Sequence, residues 1–192
     1  MRSEVAMVPR IVDLGRQGAG KGTLCARLVE EYGITHVSTG DMLRAAVAAG
    51  TELGNQAAAI MQAGDLVSDE IMNGIVAERL AEDDIMENGV LLDGFPRTCA
   101  QADELESIFA GQGVELDAAI NIDVPLDEVT ARMMSRGRDD DTEEGIKRRL
   151  SLYEEQTAPL LEWFADRDKL VVVDGLGEEH EVFARVQGAL NL

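Results

Sequence analysis

The stretch Arg10-Ile11-Val12-Asp13-Leu14-Gly15-Arg16-Gln17-Gly18-Ala19-Gly20-Lys21-Gly22-Thr23 decides the fold. Its first five residues read as a β-strand. Leu24–Tyr32 reads as a helix, with Leu24, Leu28 and Val29 on one side. Between them, four glycines and a lysine keep the spacing G-x-x-x-x-G-K, with the hydroxyl residue Thr23 one place late. Glycines let the backbone wrap tightly, so that several N–H groups point at one phosphate. Lys21 adds a point charge at the outer phosphates. The helix N-terminus behind the loop itself attracts anions. A glycine-rich turn with a stray lysine would need neither this register nor the flanking strand and helix.

Apolar, β-branched runs recur at Arg10–Leu14, Thr35–Ser38, Val90–Asp93, Ala118–Val124 and Leu170–Asp174, separated by stretches of helical period. That alternation implies an α/β fold, a parallel sheet with helices on both faces. The strands are short and almost wholly apolar, as strands covered on both faces are. Ligands bind at the C-terminal ends of such strands, where Gly15, Asp93-Gly94 and Asp174-Gly175 stand. Two segments break the rhythm. Thr39–Val67 holds two helical patterns, Asp41–Ala49 and Leu53–Ala63, with no strand between them, and reads as a small helical lobe. Ser135–Thr142 is polar and charged and reads as a loop able to cover a site.

The chain has 192 residues, 45% of them hydrophobic, which suits one compact domain. No stretch is apolar enough to span a membrane, and Met1–Pro9 has acid and proline where a secretory signal would be apolar. Cys25 and Cys99 make neither a disulfide framework nor a metal site by spacing. They read as buried or half-buried small side chains in a reducing, cytoplasmic compartment. The net charge of −20 repels nucleic acid and anionic membrane, so a phosphate site must be a local cationic pocket in an acidic field. Salt adaptation and simple solubility both account for that acidity.

A second signal is Val90-Leu91-Leu92-Asp93-Gly94-Phe95-Pro96-Arg97. A strand-end Asp beside a phosphate loop is positioned to orient magnesium-bound water. Gly94 allows close backbone approach, and Pro96 stiffens the turn that aims Arg97. The third signal is arginine spacing. Arg132 and Arg136 lie four apart on a helix read over Leu126–Ser135, Arg138 follows in the loop, and Arg149 lies in the next helix. With Arg44 and Arg97 they make six guanidiniums, each able to grip phosphate oxygens bidentately. The competing reading pairs Arg136 and Arg138 with Asp139, Asp140 and Asp141 on the surface.

These residues give the chain its likeness. From about Arg10 to Ala189 it resembles the adenylate kinases of the short-lid type. The resemblance rests on GRQGAGKGT (15–23), STGDMLR (38–44), GDLVSDE (64–70), LLDGFPRTCAQADEL (91–105), RMMSRGRDDDTEEGIKRRL (132–150) and YEEQTAPL (153–160). It implies a three-layer P-loop NTPase fold: a five-stranded parallel sheet flanked by helices (10–37, 68–134 and 143–192), a helical lobe for the nucleoside monophosphate (38–67) and a short lid (135–142), with 1–9 as an N-terminal extension. It implies a monomer that phosphorylates AMP from ATP to give two ADP.

It also implies roles. Gly18, Ala19, Gly20, Lys21, Gly22 and Thr23 hold the ATP phosphates, Arg132 stacks on the ATP adenine, and the backbone near Gly177 approaches it. Thr39, Arg44, Asp65, Leu66, Val67, Gly94, Phe95, Pro96, Arg97 and Gln101 hold AMP, with Thr39 and Gln101 facing its adenine. Arg136, Arg138 and Arg149 clamp phosphates beside Lys21 and Arg97 as the lid closes. Thr23 and Asp93 orient waters of Mg²⁺. Only Gly137 separates Arg136 from Arg138, with no cysteine nearby, so no structural zinc is expected there. His36 and His180 read as ordinary structural or surface residues.

Three positions depart from the family pattern: Gln17 and Ser68 stand where proline is usual, and Leu24 where glutamine is usual. Asp13 is a carboxylate unexpectedly close to the phosphate loop. Two other functions compete: a kinase acting on UMP or CMP, which Thr39 argues against, and a nucleotide-binding protein with impaired catalysis, which the retained Lys21 and arginines argue against. No Asn-Lys-x-Asp guanine motif follows the loop.

Overall fold

The computed structural model describes residues 8–190 except 51, 64, 66, 139 and 140. Five strands form one sheet: β1 (Arg10–Asp13), β2 (Thr35–Ser38), β3 (Val90–Asp93), β4 (Ala118–Asp123) and β5 (Leu170–Asp174). Their order is β2-β3-β1-β4-β5, and every pairing is parallel. The helices are α1 (Lys21–Tyr32), α2 (Thr39–Ala48), α3 (Glu52–Ala63), α4 (Asp69–Leu80), α5 (Asp83–Asn88), α6 (Cys99–Gly111), α7 (Leu126–Arg136), α8 (Glu143–Leu152), α9 (Pro159–Ala165) and α10 (Glu179–Leu190). A π-helical turn, Tyr153–Thr157, joins α8 to α9.

All five expected strands are present, and the alternation along them sorts residues onto two faces. Val12, Val90, Leu92 and Ala119 pack with Val76, Leu105, Phe109 and Phe164 on one face. Ile11, Leu91, Ile120 and Ile122 pack with Leu24, Cys25, Leu28, Phe183 and Val186 on the other. Each fully buried Phe, Leu or Ile contributes about 1.5–3 kcal/mol, and both faces are continuous, so neither helix layer can peel away cheaply. Leu14 falls outside β1. Its N–H still donates to Ile120 O at 2.8 Å, after which the chain turns into the glycine loop.

Among the boundaries that differ from the sequence reading, three have a clear local cause. α1 starts at Lys21 rather than Leu24, because Gly20 caps it in the left-handed region. α2 starts at Thr39 rather than Asp41, because Ser38 accepts the Asp41 N–H as its N-cap. α7 runs through Arg136, so Ser135 and Arg136 are helical and not part of a loop. Gly137 ends the helix at φ 66°, and Thr142 caps α8 by accepting from Gly145 N at 3.0 Å. The loop is therefore short and anchored at both ends. The pair α2–α3 packs backbone to backbone: a Cβ on Gly54 would lie 2.1 Å from Ala46 O. Of the segment 1–9, Pro9 is buried and its carbonyl accepts from Val90 N at 2.8 Å, so the fold begins before Arg10.

The chain leaves β1 toward β2 and leaves β3 toward β4 on the opposite side. Adjacent strands β1 and β3 thus send their connections in opposite directions. The crevice at their C-terminal ends, where Asp13 and Asp93 are register partners, is the switch point where such sheets bind ligands.

Candidate active site

The glycine loop is built from its own backbone. Gly15 N donates to Asp13 Oδ1 at 3.2 Å, and Ala19 N donates to Arg16 O at 3.1 Å. Gly18 sits at φ 85°, and a Cβ there would lie 2.7 Å from Val129 O on α7. Gly18→Ala should therefore cost about 2 kcal/mol or more, from left-handed strain plus the clash. Urea unfolding measures this, and a loss under 0.5 kcal/mol would show that the loop is not tightly seated. Gly20 caps α1 with no side-chain acceptor, and the first turn holds no acid. The free amides of that turn suit an anion.

Lys21 reaches over the strand ends, with Nζ 3.5 Å from Asp93 Oδ1. The two register-paired carboxylates respond oppositely. Burial pushes Asp13 up to about 7, although Lys21 works against this and Asp93 adds to it. Asp13 is only 3% exposed, and its Oδ2 accepts weakly from Cys25 Sγ at 3.7 Å. Burial also presses Asp93 upward, but His36, Lys21 and Arg97 outweigh it and hold Asp93 at about 2. One carboxyl is thus poised near neutrality and the other stays ionised, at adjacent strand ends.

On the other side of the crevice, α2 and the β3–α6 turn meet. Thr39 is buried, with Oγ1 3.4 Å from Asp93 O. Arg97 Nε donates to Gly94 O at 2.9 Å. Burial lowers the Arg97 pKa, Asp93 opposes this, and the guanidiniums of Arg44 and Arg149 add to the lowering. The guanidiniums of Arg44 and Arg149, each paired with a carboxylate, thus lie close enough to Arg97 to repel it. Gln101 is 2% exposed, and its amide is already used: Oε1 accepts from Arg97 N at 2.7 Å, and Nε2 donates to Asp69 Oδ1 at 2.7 Å.

Asp141 organises the remaining arginines. Its side chain is 1% exposed and pairs with Arg136 Nε at 2.6 Å and Arg149 Nη2 at 2.7 Å. Hydrogen bonding to Arg136 holds Asp141 at about 2, with burial opposing and Arg149 assisting. The expected pairing of loop acids with arginines is thus real for Asp141, but it is a buried clamp and not a surface pair. Asp139 and Asp140 lie outside the described residues. Arg132 pairs with Glu128 at 2.8 Å, Arg44 with Asp41, and Arg148 on α8 with Asp65 at the α3 end.

Lys21, Arg44, Asp93, Arg97, Arg132, Arg136, Arg138 and Arg149 line one open cleft of about 560 Å³. That is within the roughly 300–1,000 Å³ range of small-molecule sites. The adenylate kinase family model matches residues 13–169. The adenylate kinase of Stenotrophomonas maltophilia (strain R551-3) is 46% identical over 185 residues, covering 94% of this chain and 98% of the relative. This chain belongs to the adenylate kinase family. That of Mycobacteroides abscessus is 46% identical over 181 residues, with 94% and 98% covered. That of Listeria monocytogenes serotype 4b (strain CLIP80459) is 43% identical with the same coverage. Its alignment runs to 212 positions, longer than this chain, so that family member carries residues this one lacks.

Within the family cleft lie Gly18, Gly20, Lys21, Gly22, Thr23, Thr39, Arg44, Asp65, Val67, Asp93, Gly94, Arg97, Gln101, Arg132, Arg136, Arg138 and Arg149, all expected from sequence. Ala19 is 3% exposed and Phe95 1%, and neither lines the cleft. Pro96 lines a smaller neighbouring cavity beside Arg97 and Tyr153. Gly177 lies in the β5–α10 turn and is not among the cleft-lining residues. Leu66 lies outside the described residues. The sequence reading missed Asp141 and Asp69, which position other side chains, and His36, which lines the cleft. A histidine two residues before a helix cap on β2 is the only hint the sequence offered for His36.

Proposed function

We propose that this chain catalyses reversible, magnesium-dependent phosphoryl transfer, ATP + AMP to two ADP, in the cytoplasm and as a monomer. The observation that carries this reading is the convergence of Lys21, Arg44, Arg97, Arg136, Arg138 and Arg149 on a cleft that begins at a glycine loop. Such a transfer needs no protein nucleophile. It needs two polyanions in line, neutralised charge and exclusion of water.

In this reading Gly18–Thr23 cradle the ATP phosphates, with Lys21 on the transferred group, and Arg132 stacks on the ATP adenine, near the Gly177 backbone. AMP lies against Thr39, Arg44, the backbone of 65–67, Gly94–Arg97 and Gln101. Because the Gln101 amide is held by Arg97 N and Asp69, it can offer the base only its remaining N–H and lone pair. The α2–α3 pair acts as the monophosphate lobe. The 135–142 segment acts as a short lid that brings Arg136, Arg138 and Arg149 onto phosphates, which replace Asp141 as their partner.

Asp93, ionised and lining the same cleft as Thr23, is the donor type that a hydrated hard cation takes. Bound there, Mg²⁺ supplies neutralising charge to the phosphates. The relatives are named adenylate kinases, which favours AMP over UMP or CMP as acceptor. A cytoplasmic setting is supported by free Cys25 and Cys99. No helix among the described residues is long and apolar enough to cross a membrane.

A bisubstrate analogue joining two adenosines through five phosphates tests the arrangement by calorimetry. We expect one-to-one binding at least a hundredfold tighter than ATP, with slowed amide exchange over 137–142. Affinity no better than ATP would mean that the second half of the cleft does not take a nucleotide.

A further inference from the structure

Beneath the glycine loop, Asp93 meets two side chains of different chemistry that the proposed reaction does not use. Cys25 comes from the second turn of α1, His36 from β2 and Asp93 from the end of β3. One ligand atom of each lies within 4.8 Å of the others. The fold brings them together by register. Asp93 pairs with Ser38, and His36 lies two residues earlier on the same face of β2. α1 covers that face and turns Cys25 onto it, where the thiol is fully buried among Ile11 and Leu91.

Asp93 already pairs with Lys21, but the other two are not satisfied as structural groups. His36 Nε2 is buried with no hydrogen-bond partner, and its nearest carboxylate oxygen, Asp93 Oδ2, is 3.9 Å away. Cys25 Sγ reaches only the long contact to Asp13. A buried imidazole nitrogen left without a partner is a defect that a ligand would relieve. The Asp93 side chain is 20% exposed and His36 28%, and both line the cleft, so a small ion can enter from there.

We propose that Cys25, His36 and Asp93 form a binding site for a thiophilic divalent cation of the zinc class. A sulfur, an imidazole nitrogen and a carboxylate oxygen are the donors Zn²⁺ takes, and magnesium, which demands oxygen, does not fit them. Tetrahedral bonds of about 2.0–2.3 Å need donor pairs about 3.3–3.6 Å apart, so donors now up to 4.8 Å apart must close by up to about 1.2–1.5 Å. Binding forms a Zn–S bond and releases the Cys25 thiol proton to solvent, leaving the fourth position open toward the cleft. Zinc held there takes Asp93 from the nucleotide site and so opposes phosphoryl transfer. That consequence rests on the proposed function, but the test below does not.

The test uses the full chain freed of metal by a chelator, with Co²⁺ as spectroscopic probe and Zn²⁺ as competitor. We expect one Co²⁺ per chain with thiolate-to-cobalt charge-transfer absorption, abolished by stoichiometric Zn²⁺. Cys25→Ser should remove the absorption and weaken Zn²⁺ binding at least a hundredfold. His36→Gln should weaken it at least tenfold. Cys25→Ser should retain activity with Mg²⁺ alone, and Cys99→Ser should retain the absorption. If Cys25→Ser does not fold by circular dichroism, His36→Gln and Cys99→Ser decide the matter. No charge-transfer band, a band lost in Cys99→Ser, or Zn²⁺ affinity unchanged in His36→Gln would overturn the proposal.

Discussion

Lys21→Met should lower turnover by about 10²–10³-fold while leaving the melting temperature within a few degrees of the parent. The ammonium sits at the mouth of the glycine loop, 3.5 Å from Asp93. There it is the nearest fixed positive charge to the phosphate that the loop amides would cradle. Removing one preorganised donor from a developing charge costs about 2.7–4 kcal/mol of barrier. The fold loses little, because Lys21 is a first-turn residue of α1 and contributes no core packing. Steady-state kinetics and a melting curve read the two halves of this prediction. Retention of more than about a tenth of the turnover, a barrier change under about 1.4 kcal/mol, would mean that Lys21 does not face the transferred group.

The second large effect is on stability and concerns Asp13. This carboxyl titrates at about 7 in the folded chain against 3.8 when unfolded. Between those values the folded state holds a proton that the unfolded state has lost, so stability falls as pH rises from about 4 to 7. At about 1.36 kcal/mol per pH unit the loss reaches at most about 4 kcal/mol. Asp13→Asn keeps an acceptor for Gly15 N and removes the buried charge. It should therefore stabilise the protein by about 2–4 kcal/mol at pH 8, leave it nearly unchanged at pH 4, and flatten the slope between. Chelator-containing buffers keep metal out of the comparison. Equal slopes for parent and variant in urea unfolding would show that Asp13 titrates normally. Below pH 4 the sign reverses. Asp93 and Asp141, held at about 2, lose their contribution as pH falls from 3.8 toward 2.

The parallel sheet was legible because strands covered on both faces cannot hide their composition. Ile11-Val12 and Val90-Leu91-Leu92 announce themselves, while the edge strand β5 keeps its apolar run with Val172 exposed. The glycine loop and the Asp93–Arg97 turn were legible because each residue type there answers a local demand for tight backbone or fixed charge. What the sequence hid was tertiary. Asp13 looked odd, but its displaced titration depends on α1, Lys21 and Asp93 closing around it. Asp141 was one of three consecutive acids, and only the approach of α7 to α8 selects it as the buried clamp. Arg136 was read as loop because the left-handed cap at Gly137 leaves no mark on the residue before it. Gln101 and Asp69 are 32 residues apart, and no local pattern links them. His36 carried no periodic signal at all.

Formation of ADP from ATP and each of AMP, UMP, CMP and GMP, followed in a coupled assay with and without Mg²⁺, tests the central claim most directly. Rapid, magnesium-dependent turnover with AMP, at least about a hundredfold above the other acceptors in kcat/KM, is the expected outcome. Turnover that is equal or greater with UMP or CMP, or absent with every acceptor while ATP still binds, would contradict it.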